Sequence, residues 1–359
     1  MNEIKVEIVA DSINQQGDRL TSLVLTYPRI IHAEMMTHRM FSRNASSSRA
    51  VPIQKMIEAV KNNTFCPFEF QKAHKGMQGS EYFTGQDKAD CIKLWLESAE
   101  LALQQAEKMK EKGITKQVIN RILEPYQYYT VLITGSKEGW DNFFELRNPL
   151  YEYKLGAETY YFKSWKELVS FIKSTTDNKD YIKSWEDETA IGKLQHNKGQ
   201  AEIHIMDLAE KIYDAVNEST PEQLNAGQWH IPMISDLESL KLSTDDQIKL
   251  SVGRAANTSY TVVGDGKELT LEQAIKIHNK CKELNHSSVF EHCARVMSDE
   301  EYLTNIKGKI DADEYHLDNK DGFPNYVNPT GISIENSISG WCRNFKGFLS
   351  YRSIIENER

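Results

Sequence analysis

Within the stretch His38-Arg39-Met40-Phe41-Ser42-Arg43-Asn44-Ala45-Ser46-Ser47-Ser48-Arg49, three arginines, a histidine and four serines stand together. An arginine presents a planar fork of donors that fits a phosphate bidentately. Successive serine hydroxyls and backbone N–H groups can line a concave anion nest. Arg39, Arg43 and Arg49 repel one another unless something negative sits between them, so the chemistry this stretch points to is the binding of an anion. The blander alternative is a solvated basic loop, because charges are mostly exposed. The preceding run Ile30-Ile31-His32-Ala33-Glu34-Met35-Met36 is apolar enough to deliver the segment to the edge of a core.

The elements that must hold this segment can be traced on either side of it. Val6 to Val9 and Leu20 to Tyr27, with a turn near Asn14 to Asp18, read as a β-hairpin that ends at Pro28. From Asp87 to Lys112 the residues Ile92, Trp95, Leu96, Ala99, Leu103 and Ala106 recur at helical spacing, and Gly113 is placed as the stop. A short helix is expected over Lys116 to Leu123 before Pro125, a strand over Tyr126 to Thr134, and a helical piece from Gly139 to Arg147. Further helices are expected from Gln200 to Asn217 and between Leu269 and Leu284. Residues 150–198, rich in Tyr, Lys, Ser and Trp with weak periodicity, read as an insertion. Residues 298–336 read as an acidic excursion. The whole chain, 1–359, reads as one elaborated domain.

Composition narrows the function. The chain has 359 residues, 40% hydrophobic and 26% charged, which suits an ordinary globular protein with a substantial core. A net charge of −9 argues against a general nucleic-acid binder, whose affinity comes from phosphate neutralisation over a broad basic face. Positive charge is therefore local. The five cysteines, Cys66, Cys91, Cys281, Cys293 and Cys342, form no CxxC pair and suit reduced thiols. There is no apolar leader at the N-terminus and no run of about eighteen apolar residues. A cytoplasmic protein with no membrane partner is expected. Gly264-Asp265-Gly266-Lys267 lacks the frame of a P-loop, Asp311-Ala312-Asp313 opens no calcium loop, Gly76-Met77-Gln78-Gly79 reads as an ordinary Gly-rich loop, and the histidines have no metal-ligand spacing.

Four separated segments remain, and together they resemble the flavin-dependent thymidylate synthases. Thr37-His38-Arg39 followed by Ser42, Asn44, Ser47 and Arg49 keeps the register of that family's RHRxxSxNExSxR signature. Arg121 to Pro125 and Asn142-Phe143-Phe144-Glu145-Leu146-Arg147 match its R-x-x-x-P and NFLxLR elements, and Gly199-Gln200-Ala201-Glu202-Ile203 resembles its AQxEI helix start. Ala255 to Ser259 and His286 to His292 resemble its AARVS and HxTPFEH segments, which open that family's chains but come late here. That order suggests a circular permutation, which is tolerated where termini lie close together at a surface.

The resemblance implies an α+β fold with a mainly antiparallel sheet and flanking helices, and a homotetramer with sites shared between subunits. It implies transfer of a methylene group from methylenetetrahydrofolate to C5 of dUMP, with hydride from FAD that NADPH recharges. C5 of uracil becomes nucleophilic only as negative charge develops on the ring, and Arg147 is implied as the guanidinium that stabilises that charge. Ser47, Ser48 and Arg49 would hold the dUMP phosphate, Glu34 would stand at the substrate, and Arg121 would reach the nucleotide from a neighbouring subunit. His38 and Arg39 would lie against the flavin as positive charge, with Ser259, Ser288, Glu291 and Asn142 as further FAD contacts. Each also has a plainer reading: Asn142 as a helix cap, Ser288 and Glu291 as a capping box, His292 as a satisfied core histidine. Thr37, Ala45, Glu34 and Ser288-Val289 depart from the family's Arg, Glu, Gln and Thr-Pro. Arg43, Arg343 or Arg352 could offset the lost cation. The departures leave room for a nucleotide C5-hydroxymethylase acting on dUMP or dCMP, or for a nonenzymatic nucleotide- or RNA-binding protein.

Overall fold

Alternation of apolar and polar residues along two successive runs folds them into the expected hairpin. In the computed structural model, which describes residues 4–75, 79–258, 269–305 and 339–357, β1 (Lys5–Ile13) pairs antiparallel with β2 (Arg19–Pro28). Pro28, without an N–H to donate, ends the second strand. The next elements are α1 (His32–Met35), β3 (Ser42–Ala45), α2 (Ile53–Asn62), α3 (Gly85–Glu111), α4 (Lys116–Leu123), β4 (Tyr128–Ser136) and α5 (Lys137–Arg147). Gly113 adopts φ +78° just beyond α3, the left-handed conformation that favours glycine at a helix stop.

β4 lies antiparallel to β2 along its whole length, from Leu20 opposite Ser136 to Pro28 opposite Tyr128. β3 pairs antiparallel with Val131 to Thr134. The arginine-rich stretch is therefore an edge strand together with the turns at its two ends.

Residues 150–198 form a hairpin, β5 (Tyr151–Leu155) and β6 (Glu158–Phe162), and three helices, α6 (Trp165–Thr175), α7 (Lys179–Glu186) and α8 (Ala190–His196). They pack round Tyr151, Tyr153, Trp165, Leu168 and Ile172. The hairpin's mixed composition hid these elements from periodicity. Then follow α9 (Ile203–Glu218), β7 (Glu222–Gln223), β8 (Trp229–His230), α10 (Asp236–Lys241), α11 (Thr244–Thr258), α12 (Leu271–Glu283) and β9 (Ala294–Val296). The main sheet has the order β3-β4-β2-β1-β7, in which β7 alone is parallel to its neighbour.

One face of this sheet is covered by α5 and α9, which bury Phe143, Ile205, Leu208 and Ile212 against Leu23, Leu25, Val131 and Ile133. A second cluster joins Leu132 to Ile248, Val252 and Ala255 of α11 and to Val289, Phe290 and Cys293. A third packs α2, α3 and α4 together through Ile57, Val60, Leu103 and Ile119. A small sheet pairs Phe348–Ser350 with β9, and β9 with β8, so the C-terminal tail is tied to the centre of the chain. The molecule is thus α+β with mostly antiparallel strands, as expected. Of the acidic stretch 298–336, a helix Asp299–Thr304, capped reciprocally by Ser298 and Glu301, is described. Residues 306–336 lie outside the described residues, as do Gly76 to Gln78, Ser259, Gly264 to Lys267 and Asp311 to Asp313. Among the described residues no helix is long and apolar enough to cross a membrane, and no group of three His, Cys, Asp or Glu could hold a metal ion.

Candidate functional site

The turn ahead of β3 is fixed by one of its own arginines. Arg43 Nη1 donates to the carbonyls of Met36 at 3.0 Å and His38 at 2.9 Å, so one arm of its guanidinium ties the turn together while its charge stays at this corner. Beside it Phe41 is buried, its ring centroid 4.3 Å from that of Trp140 on α5. That packing depends on Gly135 of β4, where an added Cβ would lie 2.6 Å from the Phe41 ring. The His38 ring meets Phe143 edge-on at 4.9 Å. Two aromatic contacts and the Arg43 clamp thus hold the turn under the C-terminal end of α5.

Arg147, the last residue of α5, reaches into this turn with three donors. Its Nε–H donates to His38 Nε2 at 3.1 Å, Nη1 to Glu34 Oε2 at 3.3 Å and Nη2 to Thr37 Oγ1 at 3.3 Å. Glu34, His38 and Arg147, singled out from distant parts of the sequence, are therefore brought together. Thr37, a departure from the family signature, is an acceptor here; an arginine at 37 would instead confront the Arg147 guanidinium. Accepting from Arg147 requires a neutral His38 ring with its proton on Nδ1. Burial, then the Arg147 and Arg43 charges, hold His38 down at about 4. The positive charge expected at His38 is thus absent at neutral pH, and the cations at this corner are Arg147, Arg43 and the exposed Arg39. Burial and the nearby Glu202 carboxylate raise Glu34 above the ordinary range, against the opposing pull of Arg147. Glu202 itself caps α9, accepting from the N–H groups of His204 and Ile205.

The arginines divide into two sets. Arg19 pairs with Asp11, Arg29 with Glu124, Arg254 with Glu238, Arg295 with Glu301, Arg343 with Glu356, and Arg352 with Glu291 and Glu356. Arg343 and Arg352 are therefore also committed. Arg39, Arg49 and Arg121 are exposed, and among the described residues their guanidinium groups have no ion pair or hydrogen bond. The segments that carry Arg49 and Arg121 adjoin. Asn120 Nδ2 donates to the carbonyls of Ser48 at 2.8 Å and Val51 at 3.0 Å, and Lys116 Nζ donates to that of Ala50 at 2.7 Å. Ser47 Oγ accepts from the Arg49 N–H at 3.3 Å, and Ser48 is buried. This turn and the Arg147 corner sit at opposite ends of β3, about 13 Å apart at roughly 3.3 Å per residue. Extended backbone, rather than a shared anion, separates Arg39 from Arg49.

The late segment meets β3 through a buried polar chain. With the Asn44 amide turned so that its N–H groups find acceptors, Nδ2 donates to His292 Nε2 at 3.0 Å and to the carbonyls of Ser288 at 3.2 Å and Arg43 at 3.1 Å. His292 Nδ1 then donates to Thr134 Oγ1 at 2.9 Å, Thr134 to Ser22 at 2.6 Å, Ser22 to His230 Nε2 at 2.8 Å, and His230 Nδ1 to Ser12 at 2.9 Å. Every group donates in one direction, so both rings are neutral; burial holds His230 down at about 4 and His292 at about 3. His292 is thus the satisfied core histidine. Sequence reasoning missed its partners, because hydroxyl residues in strands carry no signal beyond strand preference.

The described residues among those implied as flavin contacts lie on several separate elements. Arg39 is exposed, His38 is buried under Arg147, and Ser288 is exposed on a 3₁₀ turn, Ser287–Phe290, without a side-chain cap. Glu291 is held by Arg352. Asn142 sits mid-helix rather than at a cap; it lines a cavity of about 610 Å³ with Arg19, Trp140, Phe144, Lys163 and Tyr213. Ser259 lies outside the described residues.

No protein-family model matches this chain, and no curated protein does. Among solved structures it is similar in part to a UMP/dUMP methylase, PolB, from Streptomyces cacaoi bound with 5-Br UMP, at 13% identity and a TM-score of 0.37, over 60% of this chain and 89% of that one. A second structure of PolB, bound with 5-Br dUMP, is 12% identical with a TM-score of 0.38, over 60% of this chain and 90% of that one.

Proposed function

We propose that this chain binds the nucleotide dUMP and transfers a one-carbon unit to C5 of its uracil, in the manner of the flavin-dependent thymidylate synthases that its motifs resemble. The observation that carries the reading is the division of the arginines. Among the described residues, those left exposed and without partners are Arg39, Arg49 and Arg121, and all three lie within the motifs. In a chain with 52 acidic residues, unspent guanidinium groups at those positions suit an anionic ligand.

In this reading Arg49, with Ser47 and Ser48, binds the phosphate, and Arg121 on the adjoining helix adds a second cation. Arg147 donates to a uracil carbonyl oxygen as negative charge develops on the ring, already oriented by Glu34, Thr37 and His38. The methylene donor is methylenetetrahydrofolate, and the resemblance assigns the hydride to FAD, recharged by NADPH. Because the phosphate turn and the Arg147 corner lie at opposite ends of β3, a site completed by a second copy, as in the family's homotetramer, accounts for both.

Arg49→Ala is expected to weaken dUMP binding roughly 10- to 150-fold, the loss of a charge-assisted hydrogen bond worth about 1.5–3 kcal/mol. The deficit should shrink as salt screens the exposed charge, and calorimetry at two ionic strengths reads both.

The deciding experiment is the mass of the nucleotide formed when pure protein, FAD, NADPH and methylenetetrahydrofolate are incubated with dUMP and, separately, with dCMP. A methyl gain on dUMP establishes the synthase. A hydroxymethyl gain, the alternative favoured by the replacement of a cation by Thr37, means that water rather than hydride completes the reaction. No change on either nucleotide, with dUMP still bound, leaves a nonenzymatic binder.

A further inference from the structure

We propose that Glu34 is a catalytic base, taking the N3 proton of the uracil ring while Arg147 donates to the adjacent carbonyl oxygen. The inference rests on the reading of this corner as a uracil-nucleotide site. It starts from the arrangement of an acceptor beside a donor. Glu34 Oε2 lies 3.3 Å from Arg147 Nη1 and, among the described residues, Glu34 Oε1 has no hydrogen bond. Along one edge of uracil a carbonyl oxygen accepts and the neighbouring N3–H donates, which is the complement of that pair. A glutamine could accept the same hydrogen bond but could not remove the proton.

The step balances without a redox partner. The N3–H bond breaks and an O–H bond forms on Glu34. The charge left on N3 spreads onto the flanking carbonyl oxygens, and the C5=C6 π pair forms a bond from C5 to the methylene carbon of the folate donor, leaving a C6=N1 bond whose positive charge the ring anion balances. The π pair of that donor's C=N bond moves onto its nitrogen. Arg147 holds the charge on the carbonyl oxygen during this step, and N3–H is otherwise acidic only well above neutral pH.

The groups that face Glu34 suit a base. Arg147 approaches from α5, Glu202 from the start of α9 with His204 bound to it at 2.5 Å, and the neutral His38 from the following turn. Burial and Glu202 raise the Glu34 carboxyl, bringing it closer to the proton affinity that neutral-pH catalysis favours.

The test compares wild type with Glu34→Gln and Glu34→Asp, measuring dUMP binding without folate and the pH dependence of turnover. Glu34→Gln is expected to lower kcat roughly 100-fold or more while dUMP affinity stays within about fivefold, and to abolish the acid limb of the kcat profile. Glu34→Asp should keep that limb and recover part of the rate. Turnover of Glu34→Gln within about threefold of wild type, or an unchanged acid limb, overturns the proposal. Equal losses in affinity and kcat overturn it too, since Glu34 would then serve only to bind. If wild type itself binds no dUMP, the reading of the site falls and the base assignment with it, a result distinct from failure of the variant alone.

Discussion

Replacing Arg147 by alanine is expected to lower kcat by roughly 100- to 1,000-fold, the usual cost of removing one preorganised donor to a developing oxyanion. Its effect on dUMP affinity should be much smaller. In the proposed reaction the charge that Arg147 stabilises exists only once the uracil ring is activated, so the loss belongs to the transition state. Arg147→Lys should recover little, because a single ammonium cannot span the His38, Thr37 and Glu34 acceptors as the guanidinium does. Removing the cation should also let the His38 ring rise from about 4 toward its ordinary value, since the Arg147 charge is the second cause of its depression. Steady-state kinetics with direct binding reads the first effect and an NMR titration of the ring the second. Equal falls in affinity and turnover would contradict the assigned role.

A comparably large effect concerns stability in acid. His230 and His292 are fully buried and neutral, with folded values of about 4 and about 3 against an unfolded value near 6.5. Between those limits the unfolded chain binds protons that the folded chain refuses, so the stability from these rings is complete above the unfolded value. It is lost as pH falls below about 6.5, at up to about 1.4 kcal/mol per pH unit for each ring. Glu34, Glu210 and Asp214, whose carboxyls are raised by burial, shift in the opposite sense and offset part of this. Denaturant unfolding at pH 7, 6 and 5 should show a steep decline.

His292→Leu should cost about 1–3 kcal/mol at pH 7, because Asn44 loses one of its acceptors and Thr134 loses its donor while both stay buried. It should also make the acid decline shallower, because one of the depressed rings is gone while His230, His32 and His38 remain. A variant as steep as wild type would show that His292 contributes nothing to the acid transition.

Much of the local structure was legible in the sequence. The hairpin strands, the helix ended by Gly113, the Lys116–Leu123 helix and the helix that carries Arg147 follow from periodicity, caps and proline placement, which act between near neighbours. Helices α2 and α11 were not among the expected elements, although Ile53, Met56, Ile57 and Val60 of the first recur at helical spacing. The candidate site residues Glu34, His38, Arg49, Arg121 and Arg147 were singled out from residue type and motif spacing.

Which of those residues meet was decided elsewhere. Arg43 is chemically indistinguishable from Arg39 and Arg49 in the sequence, yet one arm of it is tied to backbone carbonyls. Asn142 shares a motif with Arg147 but faces another cavity, since five residues along a helix turn it well away from the same face. Ser12, Ser22, Asn44, Thr134, His230 and His292 acquire a common role only when four strands and the β8 segment stack their side chains in one line. The sequence by itself determined the elements and the supply of donors and cations, because local sterics and burial patterns are written in nearest neighbours. The tertiary structure alone decided which arginines are spent and which histidines are silent, because partnership and burial depend on contacts between residues far apart in the chain.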